Sequence, residues 1–329
     1  SISGDAQTEP LRQWALDNFG EDLLALPREG RLYVWDQSGG TGNRAVVVST
    51  APSASNFMFV SQQDRHVICL GTHGVASGFD PMLVRWSDQN DYTNWNVNVS
   101  STSGENQLGD GSELITGLNT RNQSLIWTDN AVHAMEFVGP PFIFNFRQLG
   151  SNCGISGQHA AIELDGRIFW MGAKDFFVYD GAVKNLPCTV RRYVYDDFNF
   201  DQKEKVYAGT NQEFREVTWL YPSKNSTEID RYVSYNPVEN YWTFGTTIFT
   251  TWEDKEVFQN VLTTGKETST TNYLYTNEPE GIYTADGQKQ EAFLESAEFD
   301  TTPPSYGPGD SIMYLDRIVP DFTINDGGR

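Results

Sequence analysis

The side chains able to do chemistry are few and scattered. Four histidines, His66, His73, His133 and His159, stand apart along the 329 residues, and no two share the short helical spacing of a zinc site. His66 and His133 fall inside apolar, strand-like runs, where a hydrogen-bonded structural imidazole is the expected role. Cys69, Cys153 and Cys188 are odd in number and widely separated, so no pair has metal-site or redox-motif spacing. Buried free thiols are expected, which suits a reducing compartment. No Gly-x-Ser-x-Gly elbow is present to expose a nucleophilic serine. The glycine-rich stretch DQSGGTGN (36–43) lacks the Lys-Ser/Thr of a phosphate loop and reads as a flexible turn. With 44 acidic residues, carboxylate pairs of glycosidase type can always be drawn and carry no information. The chain therefore reads as a non-enzyme with no catalytic, cofactor or metal residues.

What would have to position any site is a set of short apolar strands. Trp35 (RLYVW), Trp86 (MLVRW), Trp127 (SLIWTD) and Trp170 (RIFWMG) end such strands at intervals of 51, 41 and 43 residues. Trp219 (EVTWLYP) and Tyr275 (NYLYTNE) extend the series after 49 and 56. A repeated four-stranded unit of roughly 40–50 residues per blade produces this spacing. HAAIELDGRIFWMG (159–172) holds the clearest hairpin, with Asp165 and Gly166 as the pair that a type I′ turn prefers. No stretch sustains a 3.6-residue period, although FNFDQKEKV has room for a short helix. The fold class is all-β, a β-propeller of about six four-stranded blades with a truncated extra β segment at the termini. Two stacked sandwiches are the competing architecture. Residues 1–20 read as a lead-in segment and 21–300 as the propeller. Residues 301–329 form a C-terminal strand segment, containing LDRIVPDFTIN (315–325), that leads into a missing or neighbouring β region. Blade anchors are expected at Trp35, Trp86, Trp95, Trp127, Trp170, Trp219 and Trp242. The Ser/Asn/Gly-rich stretch 98–112 reads as an exposed loop.

Asp88 and Asp91 in SDQNDYTNW resemble the aspartate turn of sialidase propellers, but Asn90 and Tyr92 stand where that turn has Asp and Gly. The same segment lacks the central Gly and terminal Glu of a calcium loop. A polar turn with Trp95 as its packing anchor accounts for it, and YNPVENYW (235–242) repeats the layout.

The totals restrict the partners. There are 23 basic and 44 acidic residues, a net charge of −21 spread along the chain. That balance opposes gripping a phosphate backbone, which needs Lys and Arg to displace counterions. It keeps a protein soluble and equally makes a wall past which DNA slides. No run approaches the roughly 18 apolar residues of a membrane span, so none is expected. Asn98, Asn122 and Asn225 begin glycosylation sequons, which matter only on a secretory route.

Taken in order, several segments resemble the tail tubular protein B, or tail nozzle, family of short-tailed bacteriophages. They are WALDNFGEDLLAL with GRLYVWD, LVRWSDQNDYTNW, LITGLNTRNQSLIWTDNAVHAMEFVGPPFIFNFRQLG, GRIFWMGAKDFFVYDGAVKNLPCTV, EVTWLYPS and RYVSYNPVENYWTFG, spanning about residues 11–260. The resemblance implies a structural virion protein of the tail, assembled in the bacterial host cytoplasm. It would form a homo-hexameric ring that meets the head-to-tail adaptor and tail fibre proteins. Double-stranded DNA would pass transiently and non-specifically through the ring's lumen during ejection. The resemblance implies no catalytic residues and no cofactor. Members of that family extend further at both ends, which fits the Ser1 start and the DGGR finish. A carbohydrate-binding or carbohydrate-active propeller is the alternative, motivated by the acids and aromatics. A regulatory protein-binding propeller is a third reading.

Overall fold

The computed structural model describes residues 11–255, 258–266, 272–277, 284–285, 288–289 and 317. The chain divides into Ser1–Asn277 and Glu278–Arg329. The first unit is all-β, built from successive antiparallel sheets in strict chain order. Blade 1 is β1 (Trp14–Phe19), β2 (Asp22–Pro27), β3 (Tyr33–Trp35) and β4 (Val46–Val47). Blade 2 is β5 (Ser55–Val60), β6 (Val67–His73), β7 (Phe79–Trp86) and β8 (Gly104–Gln107). Blade 3 is β9 (Leu114–Asn119), β10 (Ser124–Thr128), β11 (Ala131–Gly139) and β12 (Ile143–Ser151). Blade 4 is β13 (Ala161–Leu164), β14 (Arg167–Met171), β15 (Phe176–Tyr179) and β16 (Val183–Asn185). A long connection carrying α1 (Arg191–Asp196) and a 3₁₀ turn at Phe200–Lys205 leads to blade 5. That blade is β17 (Tyr207–Asn211), β18 (Glu216–Tyr221), β19 (Arg231–Asn236) and β20 (Tyr241–Thr246). Blade 6 has three described strands, β21 (Phe249–Glu253), β22 (Leu262–Lys266) and β23 (Asn272–Thr276). The first strand of every blade lines one axial channel, so the sheets form a six-bladed propeller. In the second unit the described strands are the pair β24 (Thr284–Ala285) and β25 (Gln288–Lys289). The expected C-terminal strand at 315–325 lies outside the described residues, Arg317 apart.

Sheets this short are stable because both faces are covered. Every residue of β5 is buried, as are all of β10 and all but the first of β18. Aromatic rings make the joints between blades. Trp127 of blade 3 meets Trp170 of blade 4 edge-on at 5.5 Å. Phe176 of blade 4 lies 4.9 Å from both Trp219 and Trp242 of blade 5. Such pairs add about 0.5–1.5 kcal/mol beyond their area burial.

The indole N–H groups give the joints direction. Trp170 donates to the Cys153 carbonyl in the connection arriving from blade 3, at 2.9 Å. Trp219 donates to Ala160 of blade 4 at 3.1 Å, and Trp242 to Pro187, just after that blade, at 3.0 Å. Trp252 donates from blade 6 to Thr210 of blade 5 at 2.7 Å. Each indole therefore reaches back to the preceding blade or its exit. Trp127 is fully buried and its N–H has no partner among the described residues.

Several expectations change on this frame. The lead-in segment 1–20 contains β1, the first strand of blade 1, because the alternation of Ala15 and Phe19 buried with Trp14 and Leu16 exposed is a strand pattern. The exposed loop at 98–112 contains β8, the outer strand of blade 2. Gly104 lets that strand lie against the Trp86 ring, where an added Cβ would sit 2.5 Å away. The tryptophan series does not mark one repeated position. Trp35 and Trp86 are on third strands, whereas Trp127, Trp170 and Trp219 are on second strands. Trp95 is buried in the β7–β8 connection and donates to its own loop at Tyr92. Trp35 is half-buried and ties its glycine-rich loop through Asn43. Asp165 and Gly166 form the two-residue turn between Leu164 and Arg167 with φ of 53° and 74°, both left-handed as a type I′ turn requires.

All three cysteines are free, with Cys69 and Cys153 buried and Cys188 partly so. Burial pushes the Cys69 thiol up to about 12 and the other two up to about 11, far from the thiolate range. The melting temperature is expected to be the same with and without reducing agent; a large fall on reduction would contradict free thiols. Among the tryptophans, Trp170→Phe and Trp219→Phe are expected to cost about 0.5–1.5 kcal/mol more than Trp127→Phe, because only the first two lose a hydrogen bond. Equal losses in urea unfolding of the three variants would remove the directional role of the indole N–H.

Candidate functional site

Two places in the propeller concentrate polar groups: a buried relay in blade 2 and the axial channel. The relay runs Asp64–His66–Thr102–Asp88. His66 precedes β6 and is completely buried, with Nδ1 2.6 Å from Asp64 Oδ2 and Nε2 3.0 Å from Thr102 Oγ1. Ser61 donates to the second oxygen of Asp64. Thr102 Oγ1 donates to Asp88 Oδ1 at 2.6 Å and accepts from the Gln89 N–H at 2.8 Å. Its carbonyl takes the Trp86 indole N–H at 2.8 Å. The rings of Phe137 and Phe144 enclose the imidazole at 5.8 and 5.1 Å.

Hydroxyl, imidazole and carboxylate in a row is the layout of an acyl-transfer triad, but the details oppose that chemistry. A nucleophile must point its proton at the base and keep an open side for substrate. The Thr102 proton is directed to Asp88, the same oxygen accepts the Gln89 amide, and the imidazole is sealed by aromatic rings. The relay instead fastens the β7–β8 connection to the start of β6. Burial pushes the Asp88 carboxyl up, but the Thr102 hydroxyl and amide, the Gln89 N–H and Asn94 together hold it below the usual carboxylate range. Asp91 caps Thr93 in the same loop. Both aspartates of the sialidase-like segment are thus engaged in local structure.

The channel has a volume of about 480 Å³. One mouth, at the N-terminal ends of the first strands, is pinched. Gln158 of the blade 4 entrance donates 3.4 Å to the Trp14 carbonyl of blade 1, and its own carbonyl accepts from Thr116 of blade 3 at 2.9 Å. Blades 1 and 4 are opposite each other in a six-bladed ring, so this contact spans the axis. The connection before β17 reinforces it. Glu204 accepts from Gln13 through its carbonyl at 2.9 Å and pairs with Arg28 at 2.8 Å. Arg28 also reaches Glu113 at 3.5 Å. Asp17, Glu163 and Asp254 also line the channel, and among the described lining residues there is no Lys or Arg. Asp254 accepts from the Thr210 hydroxyl at 2.8 Å, joining blade 6 to blade 5. Asp17 accepts the Val60 N–H of blade 2 at 2.8 Å. His159 stacks on Tyr207 at 4.9 Å, and burial pulls its pKa down to about 4.

Three further acids are dispersed. Glu113 belongs to the pinched mouth, Asp129 is held by the Ser112 amide and hydroxyl, and Asp165 is an exposed turn residue. Among the described residues no group of three or more His, Cys, Asp or Glu is placed to hold a metal ion. None of their helices is long and apolar enough to cross a membrane. The relay, the Arg28–Glu204 pair and the Gln158–Trp14 contact escaped sequence reading. The one local signal was Asp64-x-His66 beside Ser61, since Thr102 is 36 residues from the histidine it meets.

No family model matches the chain, and no curated protein does. Solved structures match in fold. A chain in the crystal structure of the mitotic checkpoint complex is similar at a TM-score of 0.51 and 10% identity, covering 80% of this chain and 73% of that one. The extracellular domain of a one-component system from B. thetaiotaomicron is similar at 0.50 and 11%, covering 80% of this chain and 32% of that one. At these identities the likeness is one of propeller architecture alone.

Thr102→Val keeps the side chain's size and removes the relay, and is expected to cost about 1–3 kcal/mol. His66→Leu leaves Asp64 Oδ2 and Thr102 Oγ1 without their buried imidazole partner and is expected to cost a similar amount, about 1–3 kcal/mol. Losses under 0.5 kcal/mol by chemical denaturation would show the relay to be dispensable, a threshold of roughly the size seen for neutral surface changes. Because the folded-state pKa of Asp88 is lowered, its contribution is present above the unfolded carboxylate value and disappears as pH falls through the folded one. Asp88→Asn is therefore expected to flatten the acid limb of the stability profile below about pH 4; an unchanged limb would contradict this.

Proposed function

We propose that the chain is a structural subunit of a ring-shaped tail nozzle in a short-tailed bacteriophage, through which double-stranded DNA is ejected. The observation that carries this reading is the ordered series of nozzle-like segments over about residues 11–260, which coincides with the run of blades beginning at Trp14. The net charge of −21 supports it. A conduit wall must hold phosphate weakly, since each cationic contact would have to be broken for the DNA to advance. The subunit's own channel, pinched and about 480 Å³ in volume, is too small to pass a duplex. In this reading DNA runs through the lumen enclosed by several copies, closed by a repeated heterologous interface. The head-to-tail adaptor and tail fibre proteins would be its neighbours in the virion tail. Such a part needs rigidity and no titrating nucleophile, and the engaged state of the blade 2 relay is compatible with that.

One observation favours the carbohydrate reading. Tyr193 and Phe244 are exposed and paired at 4.2 Å, with Tyr241 exposed on the same outer strand as Phe244. Aromatic faces of this kind suit sugar rings.

Mobility-shift titration of duplex DNA with the full-length protein separates the readings when run beside a glycan panel. The nozzle reading expects unshifted DNA even at about 0.01 M salt, where electrostatics act over roughly 30 Å, and no glycan retained. Tight DNA retention would contradict a low-affinity wall, and selective glycan binding lost in Phe244→Ala would transfer the assignment to the second reading.

A further inference from the structure

A net charge of −21 makes copies of this chain repel one another, so a contact between copies needs a place free of like charge. The outer strand of a blade can offer one, because its unpaired N–H and C=O groups accept a neighbouring strand; proteins commonly guard such edges with charged side chains. The outer strands of blades 2, 3 and 4 are guarded in this way: β8 carries Glu105, β12 carries Arg147 and β16 carries Lys184. Those of blades 1 and 5 carry no charge. β4 presents Val46 and Val47, 62% and 37% exposed, and β20 presents Tyr241 and Phe244, 42% and 43% exposed. Tyr193 packs on Phe244 at 4.2 Å and holds that ring at the edge.

The positions of these two edges form a second, independent observation. In a closed ring of six copies, each copy meets its two neighbours in directions about 120° apart. Six blades divide the turn into steps of about 60°, so blades 5 and 1, two steps apart through blade 6, point in those directions. The flanking charges are complementary. Arg44 is exposed two residues before β4 and Glu239 is exposed two residues before β20, and neither side chain has an ion pair among the described residues. Both edges are the fourth strand of an antiparallel blade and run in the same sense along the propeller axis. Copies with parallel axes therefore bring Arg44 and Glu239 to the same end of the contact, with Val46 beside Tyr241.

We infer that β20 of one copy meets β4 of the next, with the propeller axes parallel to the ring axis. This assigns the repeated heterologous contact of the nozzle reading and rests on that reading. Tyr241 and Phe244 lie against Val46 and Val47, Arg44 faces Glu239, and blade 6 of each copy turns towards the lumen. Pairing of one edge with itself is opposed by closure, which needs two different patches on each subunit.

Oxidative cross-linking of the full chain carrying both Val46→Cys and Tyr241→Cys tests the contact, beside electron-microscopy class averages of the wild type. The native thiols are buried or partly buried, and the wild type is the background control. The double variant is expected to give a covalent ladder that reaches the size of the ring and disappears on reduction, while each single variant stays unlinked. Arg44→Glu sets an acid against Glu239 and is expected to raise the concentration for half-assembly about tenfold; adding Glu239→Arg is expected to restore it. Rings in the class averages without a ladder, or assembly indifferent to Arg44→Glu, would overturn the edge assignment and leave the nozzle reading standing. Absence of rings from the wild type would remove both. All the substituted positions are exposed, so an unchanged melting temperature separates a lost contact from a lost fold. If the cysteine variant fails to fold, the charge pair decides alone.

Discussion

A four-stranded sheet with two apolar faces has no stable existence in water, and the fold follows from how each sheet obtains its second cover. Here the cover is the next blade, joined by aromatic contacts with a direction. Indole N–H groups of Trp170, Trp219, Trp242 and Trp252 each donate backwards to a carbonyl of the preceding blade or its exit. Burial alone is tolerant of sliding, whereas a donor and a carbonyl about 3 Å apart define the relative height and tilt of neighbouring blades. Trp127, which packs edge-on to Trp170 without a hydrogen bond of its own, shows the contribution of shape by itself.

With the blades registered, the first strands converge on a common axis. At one end the Gln158 side chain reaches from blade 4 to blade 1, and Arg28 holds Glu204 of the β16–β17 connection and Glu113 just before β9. Asp17, Glu163 and Asp254 add acidic lining along the axis. Between them lies a space of about 480 Å³ lined by acids and aromatic rings, too small to pass a duplex. A role in carrying DNA must therefore be carried by the outer surfaces and by association between copies.

The strands and the tight turn were legible in sequence because their signals are local. Asp165-Gly166 needs only the two left-handed positions that those residues adopt, and HVICL or QSLIWT needs only an apolar run. Elements stabilised from a distance were not legible. β8 is polar in composition and is held by its ladder to β7 and by contact with Trp86. The tryptophan spacing pointed to blades correctly while mixing second-strand and third-strand positions, since either site lets a large ring bridge two sheets. Asp64 and His66 are close in sequence, but Thr102 lies 36 residues from His66 and Gln158 lies 144 from Trp14, and nothing in a linear pattern pairs these.

Electron-microscopy class averages of the purified full-length protein, alone and mixed with a tail adaptor, address the central claim most directly. The account predicts a closed ring of six copies whose lumen is wide enough for duplex DNA. Isolated discs in both samples would contradict it and leave the propeller as a ligand-binding module.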